Sequence, residues 1–505
     1  MTSFTPARGP VLTAAIAVVS ALLVPTAFAA PAAPTAPAAP AAAAASATSA
    51  TSAKNKPALS DDFNGDGYRD VVVATPYAKV NGVRAVGHVA VLYGSASGVP
   101  NGKKQVLDQG RPGVPDTPEH GDWFGSAVTS ADLDRDGYAD LVVGASGEEA
   151  PGANEHLNTG SVSVFWGGKN GLDPKAVVTP GGGSLLATGD FTGDGNPDLV
   201  VPLSGAQGKD NRLQVGTGPF RRDGSAARTV TVPIAEPDSL RDLAAGDYNG
   251  DGFLDLAAPQ NAPDNPSSLV TLIWKGTKNG LVAEGVLKNV PGGESIDLGD
   301  IDQDGYEDIV YGRKGHFGDD YTAPAVGGQI VHVPGSAKGP VTAKARIVHQ
   351  DSPGVPGAAE AGDGFGTDIT VGDVNGDSYE DVVVGVPEEA HGKKRHAGAV
   401  VVLRGSKSGI ATSGGTAFSQ DTAGVPGTVE QYDRFGSAVK LADVNRDGRA
   451  ELLASATHED DSKGAVWVLK GGSSGTTAKG AVSFGAPALG LPASAGDWFG
   501  RGFNH

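Results

Sequence analysis

The chain runs to 505 residues, with 58 acidic against 39 Lys and Arg side chains, a net charge of −19 and no cysteine. A chain this acidic and without a basic cluster is excluded as a nucleic-acid binder. With no disulfide to staple it, a large core or bound metal must hold the fold together.

At the N-terminus, residues 1–29 place Arg8 ahead of an apolar run that ends in small residues, with cleavage expected after Ala29. This reads as a secretory signal, too short and wrongly flanked to span a membrane. Residues 30–57 are Ala, Pro, Thr and Ser, a composition that cannot bury enough apolar surface to order itself, and read as a disordered linker. No later run approaches 18 apolar residues, so the expected product is secreted, monomeric and without a membrane span.

From 58 to 505 one unit recurs and leaves no room for a separate catalytic domain. Its signature is D-x-[DN]-x-D-G-x-x-D, present seven times. Side chains at positions 1, 3, 5 and 9, with the backbone carbonyl at position 7, form a set of oxygens suited to Ca²⁺, and a glycine at position 6 allows the sharp turn around the ion. The first copy offers Asp62, Asn64, Asp66 and Asp70 with the carbonyl of Tyr68; the second, Asp132, Asp134, Asp136 and Asp140 with Tyr138. The third offers Asp190, Thr192, Asp194 and Asp198 with Asn196; the fourth, Asp247, Asn249, Asp251 and Asp255 with Phe253. The fifth offers Asp300, Asp302, Asp304 and Asp308 with Tyr306; the sixth, Asp373, Asn375, Asp377 and Asp381 with Tyr379; the seventh, Asp443, Asn445, Asp447 and Glu451 with Arg449. These loops are not EF-hands: the twelfth position from Asp132 is the apolar Val143, and a strand follows instead of a helix. Of the 58 acids, 23 fall at ligand positions, a crowding that needs a compensating cation. Thr192 at position 3, Ser378 at the turn glycine and Glu451 at position 9 depart from the pattern and predict weaker sites there.

After each loop comes a short β-branched run such as "VVVA", "LVVGA" or "VVVGVP", then an alternating strand closed by glycine, as in "GHVAVLYG" and "GAVVVLRG". Each repeat therefore predicts four antiparallel strands, with the acidic loop between the first and second. A sheet of that size cannot bury both faces alone, so the expected architecture is all-β, a seven-bladed β-propeller over 58–505. Phe-Gly precedes the loops at Phe124, Phe365 and Phe435 and returns in "GDWFG" at 496–500 with no loop after it, which predicts that the C-terminus completes blade 1.

Phe-Gly, an acidic loop and a strand ending "VGAS" or "VGVP" together resemble the FG-GAP repeat of integrin α-subunit propellers, and "QDTAGVPGTVEQYDRFG" resembles the linkers of bacterial secreted relatives. That resemblance implies Ca²⁺ in the hairpin loops and binding or adhesion more often than catalysis. Blades 3 to 5 lack Phe-Gly, so their packing must differ.

Other signals read as structure. "GGSSG" around Ser473 fits G-x-S-x-G but aligns with the turns after third strands elsewhere, so it predicts a turn and not a nucleophile. Trp123, Phe124, Trp498 and Phe499 read as packing between blades, and His391 with His396 as a solvated loop.

The acidic loops leave the opposite face free, where long varied segments run at 144–160, 312–328, 387–398 and 455–464. The favoured function is a calcium-stabilised binding or adhesion module for a protein or surface glycan. The alternatives are a polysaccharide lyase or hydrolase at the channel mouth and a structural spacer. Longer connectors lead into blades 6, 7 and 2, which place a candidate surface at Glu119, His120, Glu360, Glu430 and Tyr432.

Overall fold

The structure is a computed structural model that describes residues 58–99, 102–149, 159–205, 210–262, 265–315 and 326–504. The expected leader and linker lie outside these residues, as do 150–158 and 316–325 of the varied segments.

Seven four-stranded antiparallel sheets form among the described residues, six of them in simple sequential order. Blade 2 comprises Phe124–Ala131, Asp140–Ala145, Ser161–Phe165 and Ala176–Pro180, and blade 7 Phe435–Ala442, Glu451–Ala456, Ala465–Lys470 and Thr477–Phe484. Blades 3 to 6 begin at Ala187–Gly189, Ala244–Gly246, Ser295–Gly299 and Ile369–Gly372. Blade 1 is the exception that closes the ring. Its Val71–Thr75, His88–Leu92 and Lys104–Leu107 take their first strand from Gly502–Phe503, with Val73 opposite Phe503.

Burial explains the sequence pattern. Second strands are buried along all or nearly all of their length, as in Val71–Thr75 and Asp381–Val386, because a neighbouring blade covers each face. They therefore read as continuous apolar runs, whereas the outermost strand Val282–Val286 is largely exposed. Among the described residues seven apolar clusters form, and each is shared by two adjacent blades. Phe124 and Phe165 of blade 2 pack with Val72 and Val91 of blade 1, and Phe499 and Phe503 pack with Leu453 and Val466 of blade 7.

The inner wall is knitted by polar side chains. Asp242, Asp297 and Asp368 each accept a hydrogen bond from the next blade's first strand, at Ile296 (3.0 Å), Val371 (2.8 Å) and Val439 (2.8 Å). At the closure, buried Lys440 donates to Asp61 (3.2 Å) and to the Asn504 carbonyl (2.6 Å), while the Asn504 amide donates to Asp61 (2.5 Å).

Candidate functional site

Six of the acidic loops join a first strand to a second and the first copy leads directly into Val71–Thr75, the second strand of blade 1, so the loops lie at one end of the ring. In six of them the position-1 carboxylate gathers the N–H groups of positions 5 and 6, as Asp62 does from Asp66 (3.1 Å) and Gly67 (2.9 Å). The sixth loop differs. Asp373 accepts from Asn375 (3.0 Å), Gly376 (2.6 Å) and Ser378 (2.8 Å), and Ser378 occupies the turn position at φ 71°, the left-handed conformation that glycine holds in the other copies. Position 5 accepts the position-7 N–H in every loop, from Tyr68 to Asp66 (3.0 Å) through Arg449 to Asp447 (3.1 Å).

Two roles were not legible in the motif. Position 9 is a staple: Asp70 accepts from Phe63 (2.9 Å) within its loop and from Gly94 (2.8 Å) after the third strand, and Asp140 does the same with Leu133 (2.9 Å) and Gly167 (2.8 Å). Asp198, Asp255, Asp308 and Asp381 likewise reach Gly218, Gly276, Gly335 and Gly405. The signal for this was the glycine that closes each third strand. Position 7, considered only for its carbonyl, packs between blades through its side chain: a Cβ on Gly65, Gly193 or Gly250 would come within 2.6 Å of the ring of Tyr138, Phe253 or Tyr306.

The residues fit a cation to different degrees. Asp132, Asp134 and Asp136, and likewise Asp300, Asp302 and Asp304, each bring one oxygen within 4.8 Å of the others. In the fifth loop one Asp302 oxygen is buried without a hydrogen-bond partner, the condition a bound cation would relieve. In the second loop the Arg222 guanidinium bridges Asp134 and Asp136, and in the fourth Lys275 pairs with Asp251 (2.8 Å), so these carry resident positive charge. Asn249, Asn375 and Asn445 turn their amides to the position-9 carboxylates, and Thr192 leaves its buried hydroxyl unpartnered. Burial, with nearby aspartates adding to it, pushes Asp70 and Asp140 up to about 8.

The opposite end of the ring, where first strands start and second strands finish, holds a cavity of about 660 Å³. Its lining comes from blades 5, 6, 7 and 1 and includes Glu388, His396, Arg434, His458, Trp498 and Arg501. Glu388 takes His396 (2.5 Å) and Arg434 (3.1 Å). His458 accepts or donates to the Thr457 hydroxyl (3.0 Å) and stacks on Trp498, ring centroids 5.4 Å apart. Burial, reinforced by Arg434 and Arg501, lowers His458 to about 4, so its imidazole is neutral near pH 7.

Some expectations need correcting here. Phe124 and Phe499 are core, but Trp123 is 38 % exposed and Trp498 lines the cavity; the two tryptophans flank Tyr77 at 6.4 and 4.9 Å between centroids. The backbone explains the difference, because Trp123 and Trp498 sit at φ 54° and 53°, which turns the residue before Phe outward as Phe turns in. His391 and His396 do different things, the first bonding the Ser419 hydroxyl (2.6 Å) and the second facing the cavity. Ser473 lies in a turn, as expected. Glu119, His120, Glu360, Glu430 and Tyr432 are all exposed, and Tyr432 meets the cavity rim by stacking on His396 at 5.1 Å. Their connectors also cap the blades: Asp122, Asp363 and Asp433 accept the N–H of Glu119 (2.6 Å), Glu360 (2.6 Å) and Glu430 (2.5 Å).

The family matches agree with the repeats of this architecture. The FG-GAP repeat family matches residues 124–165, 365–403 and 435–469, and an FG-GAP-like repeat family matches 62–143. Phosphatidylinositol-glycan-specific phospholipase D from Bos taurus is 37 % identical over 165 residues, 30 % of this chain and 19 % of that protein. Integrin alpha-IIb from Mus musculus is 39 % identical over 87 residues, 17 % of this chain and 8 % of that protein. The chain thus spans less than a fifth of the length of either relative. A solved structure of a functionally unknown protein from Desulfotomaculum acetoxidans aligns over 79 % of this chain and 92 % of its own, with 10 % identity and a TM-score of 0.40.

Proposed function

We propose that this chain, a seven-bladed β-propeller with FG-GAP repeats similar to those of integrin α, is a secreted, calcium-stabilised binding or adhesion module for a protein or surface glycan. The observation that carries this reading is the division of labour between the two ends of the ring. One end repeats the same acidic loop seven times and staples it to the third strand of its own blade; the other carries connectors of unequal length, exposed aromatics and a cavity. Repetition suits structure and variety suits recognition.

Ca²⁺ would be held by positions 1, 3 and 5 with the position-7 carbonyl and position 9, best in the second and fifth loops, where three aspartates converge. It would neutralise crowded carboxylates at the blade seams. A glycan array and a pull-down test the binding reading: ligand captured by the full chain should be lost on His458→Ala or Trp498→Ala and retained on Asp251→Ala, at the other end. Capture that survives both cavity changes would end it.

A second reading, a polysaccharide lyase or hydrolase, is favoured by one observation: a neutral His458 beside Arg434 and Arg501 at the channel mouth. It predicts new reducing ends or unsaturated sugar products when polysaccharide is incubated with the chain. Their absence across acidic and neutral polysaccharides would leave binding alone.

A further inference from the structure

We infer that the cavity between blades 5, 6, 7 and 1 binds a carboxylate-bearing sugar unit of an acidic polysaccharide. This rests on the binding-module reading and names the chemistry of its ligand.

The first argument is charge. The chain as a whole carries −19, yet this cavity collects Arg434 and Arg501 against a single lining carboxylate, Glu388, which His396 and Arg434 already engage, while Lys314 at its edge pairs with Glu294 (3.7 Å). Arg501 is exposed and, among the described residues, has no carboxylate at ion-pair distance. A guanidinium left open in a concave site matches a planar carboxylate with two parallel hydrogen bonds.

The second argument is backbone strain. The residue before Phe-Gly lies in the left-handed region in each of the four blades that have the motif, and blade 6 uses Gly364 (φ 77°) there. Blades 2, 7 and 1 place Trp123, Arg434 and Trp498 at the same position, at φ 54°, 60° and 53°. Bulky side chains pay a penalty in that conformation that glycine avoids. Arg434, Trp498 and Gly364 line one cavity, so two of the strained residues converge on it.

Shape and surface separate a sugar from an acidic peptide. The volume is in the range that holds a ligand of a few rings. Trp498, Tyr77 and Trp123 extend from it toward blade 2 as a row of aromatic rings set at 68° and 59° to one another, apolar surface for the C–H groups of sugar rings. A peptide docking as an added strand would need an open strand edge for its backbone. The open edges here are the outer fourth strands, at the rim of the disc.

The test is calorimetric titration of the full chain with tri-galacturonic and tri-glucuronic acid and with their methyl esters. At least one acid should bind, its ester at least tenfold more weakly, and added salt should weaken the acid alone. Arg501→Gln, at an exposed side chain, should melt like the parent and lose at least tenfold in affinity. Arg434→Gly relieves the strained position, so it should melt no lower than the parent while binding falls. Equal affinity for acid and ester, or no binding of either acid, overturns the inference. Capture of a neutral glycan or a protein that Trp498→Ala abolishes would also overturn it while leaving the binding module standing; capture insensitive to the cavity would remove both.

Discussion

Asp134 and Asp140 look alike in the motif and do different work. Asp134 converges with Asp132 and Asp136, whereas Asp140 is fully buried and satisfies two backbone N–H groups, at Leu133 and Gly167. Asp140→Ala strands both donors in the core and should cost roughly 2–6 kcal/mol, from about 1–3 kcal/mol per buried unpaired group. Urea unfolding should show that loss already in chelator, with the calcium-dependent part of the second loop lost in addition. Asp302→Ala should reduce only the calcium-dependent part, and equal losses for the two variants in chelator would merge the roles. Ser378 supplies a second case: held at φ 71°, it should gain up to about 1 kcal/mol on Ser378→Gly, the relief of a left-handed side chain less glycine's added freedom in the unfolded chain. Spacing made positions 1, 3 and 5 legible because it is local. The partner of Asp140 lies 27 residues away in sequence, beyond what a nine-residue motif can specify.

Between elements, Phe-Gly acts as a seam. The Phe124 N–H donates to Val86 (2.7 Å) of the preceding blade, and Phe365, Phe435 and Phe499 donate likewise to Gly327, Ala397 and Lys463 (each 2.9 Å). The third strand of the earlier blade opens at Gly87, Gly328, Gly398 or Gly464 because a Cβ there would lie within 2.4 Å of the Phe carbonyl oxygen. Blades 3 to 5 meet otherwise. Gly183 packs 2.1 Å from where a Gly144 Cβ would be, and Leu240 bridges to Gln260 within blade 4. Missing Phe-Gly was visible in the sequence, but its replacement was not, since those contacts use backbone and glycine without a repeated phrase. Deleting 490–505 removes Phe499, the strand Gly502–Phe503 and Asn504, exposes an edge of blade 1, and leaves Lys440 buried with one partner fewer. Breaking a buried charged network of this kind costs about 3–5 kcal/mol. The truncated chain should melt far lower and elute as aggregate in size-exclusion chromatography; parental melting would refute closure.

For the molecule as a whole, the excess of acid sets a pH dependence with a definite sign. Burial pushes Asp242 up to about 8, Asp122 and Asp363 to about 7, and Asp368 to about 6, with neighbouring acids adding to the shift in the first three. An acid whose folded pKa is raised favours folding while protonated. Its contribution is complete below the unfolded value near 4 and is lost as pH rises through 6 to 8. Asp61 runs the other way: burial raises it, but Lys440, Ser130 and Arg69 outweigh that and hold it low, so its contribution fades only in stronger acid. Without metal, stability should therefore fall steadily from pH 5 to 8.5. Calcium opposes the trend, because it binds deprotonated carboxylates and its increment grows with pH. A site at ten times its dissociation constant contributes roughly 1.4 kcal/mol, so a few occupied loops would offset the decline. Thermal melts at pH 5, 6.5, 7.5 and 8.5, each in EGTA and in excess Ca²⁺, should give two curves that lie close at pH 5 and diverge upward in pH. Curves that coincide throughout would mean that resident cations such as Arg222 and Lys275, together with the position-9 staples, hold the ring without metal.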